Sequence, residues 1–416
     1  MVKTAYFLIN LVLFIMIAFD RKFIFKHRIS PFGLPINIVE IAFSLTFFLT
    51  LTLYLLKPVR IKPAKFLFFL FSLNTISFVK GVVNHYPRYS LFAEMRVLYL
   101  FILGYITFYT IVNWSEKPNW QRIKTTIKVI IVGSLISFIW HMVYMMKGYT
   151  TYQAVGLASI FYQISFFFLL SAKTTSVTIF TPFLDTVMLS ITAAAIIYKL
   201  ERAIWLTSLL GLSFIFLLKP KHSKSAILTT SFTLFFILSM VLFLMPSMAT
   251  LNQRVKERFE TMSSFQKILG PEGIDKRLIE ARVGINEFRN LSYLGKIIGG
   301  TGHGKVLREY IPYENILKKI YYFHSSYIFY LVKCGLLTLV VFLFFLLQPL
   351  FDLLKVVRRN RNGKASFLAL SLVTIMVTRL VSTFSDGTLS DPYLILFFGF
   401  ITALCYSLKR WLAYIT

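Results

Sequence analysis

Long apolar runs alternate with short basic breaks along almost the whole chain, and a single long polar stretch interrupts them. Runs able to cross about 30 Å of hydrocarbon fall near 4–20, 34–56, 66–84, 91–113, 125–146, 152–172, 177–200, 203–218, 226–248, 324–351, 366–385 and 391–412. This pattern predicts an all-α polytopic integral membrane protein of about twelve transmembrane helices with one large, partly helical loop. Three parts follow from it: an N-terminal transmembrane bundle of about nine helices over 1–248, the loop over 249–323, and about three C-terminal helices over 324–416. Polar residues interrupt the pairs near 66–113 and 177–218, so a re-entrant or tilted hairpin is an open alternative for either.

Composition agrees with the pattern. Of 416 residues, 57% are hydrophobic and 15% charged, well below the roughly one quarter charged of soluble domains. The formal charge of +28 would suggest nucleic acid in a soluble protein. Here much of it lies in short loops between spans, where it reads as a topology signal and a contact with anionic lipid. Nucleic acid is therefore not expected as a partner; membrane lipids are. Cys334 and Cys405 fall in separate apolar spans and read as packing residues. The first apolar run is followed by Asp20-Arg21-Lys22 with no small-residue cleavage site, so it reads as a retained helix.

Lysine and arginine set the orientation. The densest short basic clusters lie at 57–65, 117–128, 219–224 and 355–364, and all fall on one side if the N-terminus is cytoplasmic. The turns at 147–152 and 385–391 are poorer, while 20–28 runs against the trend. The expectation is a multi-pass protein of the bacterial inner membrane, with both termini cytoplasmic and the large loop periplasmic.

Within the loop, Ile274, Leu278, Ala281, Ile285 and Phe288 recur at three- and four-residue spacing, one stripe of an amphipathic helix. Arg277 and Arg282 stand about 140° apart around it, so at most one suits a shared site. Gly299 to Val306 falls one residue short of a phosphate-binding loop, because Val306 stands where Ser or Thr holds magnesium. Its glycines read first as a tight turn requiring positive φ, with backbone contact to phosphate or sugar as the functional alternative. No HExxH, CxxC pair or close Asp/Glu/His cluster marks a metal site, and no cofactor is expected. The scattered histidines His27, His85, His141, His222 and His303 read as structural residues.

Three residues share one membrane face in this topology. Arg202 sits in the turn between two spans, Arg277 opens the loop helix, and His324 stands where the chain re-enters the membrane. Arginine forks hold phosphate oxygens, and histidine can take a hydroxyl proton near neutral pH. The bland alternatives are an interfacial anchor for Arg202, a solvated helix face for Arg277 and a helix-end cap for His324.

From Arg202 to Gly335 the chain resembles the bacterial O-antigen ligase and O-antigen polymerase superfamily. Glu201-Arg202-Ala203 is similar to the family's first arginine context. The run Arg277-Leu278-Ile279-Glu280-Ala281-Arg282-Val283-Gly284-Ile285-Asn286 resembles its loop-helix motif. Gly300-Thr301-Gly302, then His324-Ser325 and Gly335, follow in the family's order and spacing. Ser325 replaces the usual asparagine, Lys333 stands where an acidic residue is common, and the second glycine after Gly335 is missing.

The resemblance implies a GT-C-like plan and a metal-independent, inverting glycosyltransferase working at the periplasmic face. It implies a donor glycan on undecaprenyl diphosphate and an acceptor glycan, either a lipid-linked repeat unit or lipid A-core, with a chain-length regulator as a further partner. His324 would be the general base, and Arg202 and Arg277 would hold the departing diphosphate. Gly300, Gly302, Arg282, Arg96, Arg88 and Tyr327 are the candidate substrate contacts, with Glu94, Arg379, Asp386, Asp391, Arg254, Arg289 and His303 in further reserve. Glu94 and Arg96 could equally compensate each other's charge.

Several readings stay open. Within the transferase reading, a repeat-unit polymerase stands ahead of a ligase, on the retained glycine turn and the altered histidine motif. A transporter of lipid-linked sugars would carry its charges mid-span and show inverted repeats. A peptidoglycan glycosyltransferase would need a central loop carboxylate, for which Asp275, Glu280 and Glu287 are available.

Overall fold

The computed structural model describes residues 1–19, 38–114, 119–146, 158–198, 202–218, 274–311, 316–320, 323, 325–359, 363–384, 389 and 391–415. In chain order these form α1 (Val2–Ala18), α2 (Ile38–Leu56), α3 (Ala64–Val83), α4 (Arg88–Val112), α5 (Trp120–Met146), α6 (Ala158–Thr174), α7 (Pro182–Tyr198) and α8 (Arg202–Leu218). Then come α9 (Ile274–Arg289), α10 (Tyr293–Ile297), β1 (Leu307–Ile311), β2 (Ile316–Ile320), α11 (Ser326–Cys334), α12 (Leu336–Arg359), α13 (Lys364–Ser382) and α14 (Pro392–Ile415).

Among the described residues, seven helices are long and apolar enough to cross a membrane: α2 to α5 and α12 to α14. The chain is thus a polytopic, membrane-type helical protein. Helices α1, α6, α7 and α8 are apolar but shorter, at 17 residues each. The expected span at 226–248 lies outside the described residues. Both halves of the 66–113 pair are helices long and apolar enough to cross a membrane.

Local chemistry explains where the helices stop. Helix α7 begins five residues later than the apolar run, because Pro182 suits a first helical position. The Asp185 carboxylate there accepts from the N–H groups of Ile179 and Phe180, both at 2.9 Å. The expected single span at 324–351 is instead two helices. Gly335 adopts φ +91°, a conformation that ends α11 and restarts the chain as α12. Farther along α12, Pro349 cannot donate to the Phe345 carbonyl, and the Tyr406 hydroxyl takes that carbonyl at 3.0 Å.

The core is built around α14, which packs along α4. Their backbones approach closely because both carry glycine at the crossing: a Cβ on Gly399 would lie 2.5 Å from the Phe101 carbonyl oxygen. Small residues at such crossings are the usual device where no water drives helices together. Helix α13 fills the other side of the core, against α6, α8 and α12. Helices α2 and α3 are peripheral, and α3 leaves Phe68, Phe71, Ile76, Val79 and Val83 exposed.

Two groups of polar contacts mark the two ends of α13. One end joins Asn113 to Ser407 at 2.6 Å, Asp352 to Lys409 at 2.5 Å, and the Gly363 N–H to the Thr175 carbonyl. The other joins Gln163, Thr207 and Arg379, and holds the start of α11 against the end of α13.

The described part of the loop adds an antiparallel hairpin to the expected helix, with Leu307 opposite Ile320 and Ile311 opposite Ile316. On α9 the buried line is rotated from the expected stripe. Glu280 and Gly284 are buried, Ala281 and Phe288 are half-buried, and Ile285 is exposed. The reason is steric: Gly284 lets α9 pack on Phe323 and Ile328, where a Cβ would lie 2.7–2.8 Å from their side chains.

Candidate functional site

Of the three predicted residues, two stand on described helices. Arg202 is the first residue of α8 and Arg277 lies in the first turn of α9. His324 lies outside the described residues, as do the side chains of Arg202 and Arg277, so the site is defined by what flanks them.

Helix α8 is tied down within two turns of Arg202. The Gln163 amide of α6 donates to the Ile204 carbonyl at 3.3 Å, to Thr207 Oγ1 at 3.0 Å and to Ser208 Oγ at 2.9 Å. Trp205 Nε1 donates to the Ile196 carbonyl at 2.9 Å, closing the α7–α8 turn. Arg379, near the end of α13 and wholly buried, donates to Gln163 Oε1 and to Thr207 Oγ1. A guanidinium inside a membrane bundle is costly unless it is well solvated by protein, and here it bridges α6, α8 and α13.

The residues after His324 are pinned to the last turn of that same α13. The Ser326 N–H donates to the Thr383 carbonyl at 3.2 Å, the Ser325 hydroxyl donates to it at 3.4 Å, and the Tyr327 hydroxyl donates to the Leu380 carbonyl at 2.5 Å. Ser326 Oγ accepts from the Leu389 N–H at 3.1 Å. Ser325 thus takes part in docking the turn. Tyr327, a candidate substrate contact, also sets its ring edge-on to Phe384 at 4.6 Å. On the other side, Phe323 and Ile328 receive Gly284 of α9, two turns after Arg277. The end of α13 is therefore the hub to which α8, α11 and, through α11, α9 are attached.

A second polar cluster lies farther along α11. Lys333 Nζ donates to Glu94 Oε1 of α4 at 2.8 Å and to the Lys305 carbonyl at 2.5 Å. Glu94 Oε2 accepts from the Gly304 N–H at 2.8 Å and lies 3.7 Å from His303 Nδ1. His303 Nε2 is 2.8 Å from Asn74 Oδ1 and 3.8 Å from Cys334 Sγ. Glu94 therefore does not compensate Arg96, which pairs instead with Glu40 of α2 at 3.2 Å.

The glycine turn closes the break in the re-entering helix. N–H groups of Gly299, Thr301 and Gly302 donate to the carbonyls of Cys334, Val332 and Lys333 at 2.9, 2.7 and 3.2 Å. These are the carbonyls that a helix end leaves without partners. Gly299, Gly300, Gly302 and Gly304 all have positive φ, so the tight-turn reading of the motif holds. Gly300 and Gly302 are buried, and the Gly302 N–H serves the α11 end. Arg88 and Arg282 are exposed at the surface.

Sequence reasoning missed the Glu94–Lys333–His303 cluster, whose members are separated by 239 positions between Glu94 and Lys333. The available signal was a lysine and a glutamate inside apolar runs, each of which needs a partner. Among the described residues, no three His, Cys, Asp or Glu side chains gather as a metal site. No protein-family model matches the chain. No curated protein matches it significantly either.

Proposed function

We propose that this protein transfers a glycan from an undecaprenyl-diphosphate carrier to an acceptor sugar at the membrane face that bears the loop, and that it joins repeat units of a surface polysaccharide. The observation that carries this reading is the hub at the end of α13. The start of α8, where Arg202 stands, and the residues that follow His324 are both hydrogen-bonded to α13 or its partners, and the helix bearing Arg277 packs on α11. Two arginines and a histidine drawn from three distant segments suit a diphosphate leaving group and a hydroxyl nucleophile.

In this reaction His324 removes the proton of the acceptor hydroxyl as its oxygen attacks the anomeric carbon. The bond from that carbon to the diphosphate oxygen breaks, and the configuration inverts. The diphosphate leaves with its electron pair, held by the planar forks of Arg202 and Arg277, whose charge favours it as negative charge builds. The loop faces the periplasm of the inner membrane in this reading, with both termini cytoplasmic.

The test is transfer by purified protein in vesicles containing a lipid-linked repeat unit. His324→Ala should lower kcat by about 10²–10⁴, and near-normal turnover would overturn the assignment. A gel of surface lipopolysaccharide from a strain lacking the gene separates the products: a core with one repeat unit means polymerase, and a bare core with long glycan left on the carrier means ligase.

A further inference from the structure

The loop does not simply rest on top of the bundle. Helix α3 is read as a span over all of Ala64–Val83, and Ile76 stands seven residues, about 10 Å, inside its outer end. A Cβ on Gly299 would lie 3.4 Å from the Ile76 side chain, and one on Gly302 would lie 3.0 Å from the Gly81 N. The turn 299–304 therefore sits beside α3 at membrane depth, wedged against the α11–α12 break. Irregular backbone is tolerated at that depth only when protein satisfies it, and here the N–H groups of Gly299, Thr301, Gly302, His303 and Gly304 all have protein acceptors.

The corner leading into this turn carries a different surface. Tyr293 is 81% exposed and Leu294 69%, although both belong to a helix anchored by its Ser292 cap and by buried Gly295. Gly295 lies next to the Lys80 ammonium, at 3.4 Å from an ideal Cβ. Lys80 in turn donates to the Gly300 carbonyl. Next to them, Ile76, Val79 and Val83 of α3 are exposed. Tyrosine and snorkelling lysine above an apolar wall are the chemistry of the lipid–water boundary.

We infer that the α10 corner is a lipid-facing, re-entrant anchor, in which Tyr293 and Leu294 extend the apolar face of α3 into the bilayer while Lys80 and Lys296 hold the phosphate of an anionic phospholipid. Charge selects this occupant. Lys80 lies beside Gly295 and Lys296 belongs to α10, Arg289 is exposed at the end of α9, and the Glu287 carboxylate is engaged with Lys305. An anionic headgroup with acyl chains matches both the cations and the apolar wall.

The inference is independent of the transferase reading and is tested without an activity assay. Full-length Y293C carrying a nitroxide is placed in nanodiscs, with F68C as the membrane reference and unsubstituted protein as the blank for Cys334 and Cys405. Power saturation should show the label at 293 to be more accessible to oxygen than to a water-soluble nickel chelate, as at 68. Dominant nickel access would overturn the insertion. Thermal midpoints of the wild type should then rise by several degrees in phosphatidylglycerol over phosphatidylcholine discs, with at least half of that rise lost in K296Q. Because Lys80 also supports the glycine turn, K296Q rather than K80Q is the deciding variant. An equal rise in K296Q and wild type would overturn the headgroup contact.

Discussion

Lys333 Nζ and Glu94 Oε1 lie 2.8 Å apart with side chains only 1% and 2% exposed, joining α11 to α4 inside the bundle. Removing one member of such a pair leaves a buried charge without its partner, at a cost of about 3–5 kcal/mol. Lys333→Met or Glu94→Leu alone should sharply lower the thermal midpoint of purified protein. The double variant should recover most of it, short of the 1–3 kcal/mol or so expected for the abandoned Gly304 N–H. A double variant no better than the singles would show that the two side chains stabilise the bundle through other contacts than each other.

Gly300 should tolerate no side chain. Its φ is +50°, and a Cβ would lie 2.3 Å from the Val332 carbonyl oxygen and 2.6 Å from the Lys333 carbonyl carbon, both backbone atoms with little room to move. Gly363 has φ +98° but nothing within 4 Å. Gly363→Ala, at φ +98° and ψ 178°, should cost only its own backbone strain, about 1–3 kcal/mol, whereas Gly300→Ala should add to about 1–2 kcal/mol of left-handed strain a further 1–3 kcal/mol or so of overpacking. Equal midpoints for the two would show that the turn yields more easily than its contacts suggest.

Arg379 should act on turnover by position. It touches Gln163 and Thr207, which hold the turn after Arg202, and its helix ends at the carbonyls that receive Ser325 and Tyr327. A displacement of about 1 Å between reacting groups can cost on the order of 10² in rate. Arg379→Lys should therefore lower kcat by up to about that factor with little change in KM, and spin labels at Leu206 and Phe384 should report an altered spacing. Full activity with an altered spacing would detach this contact from catalysis.

Much of the helical plan was legible in the chain because hydrophobic periodicity is local. Any run of about twenty apolar residues must bury or expose its backbone in the same way wherever it sits. That logic recovered the positions of α3, α4, α13 and α14. It overlooked the break at Gly335, because the pattern LVKCGLLTLV stays apolar almost throughout and only a positive φ divides it. The loop helix was legible as a helix, but its buried face was not. Gly284 is silent on a hydrophobic scale and decides the packing by its lack of a side chain.

The same division holds for the candidate site. From residue types and order alone came Arg202, Arg277 and His324 as a set, and the glycine motif as a turn requiring positive φ. The tertiary structure decided what that turn serves: its N–H groups complete the end of α11, and its His303 and Gly304 meet Glu94. It also decided that Arg379, one charge among several at the helix ends, is the bridge between α6, α8 and α13. Sequence determines which groups need a partner, since burying a charge or an orphan N–H is costly everywhere. Which group answers that need, as Glu94 answers Lys333, depends on contacts between distant segments that no local pattern records.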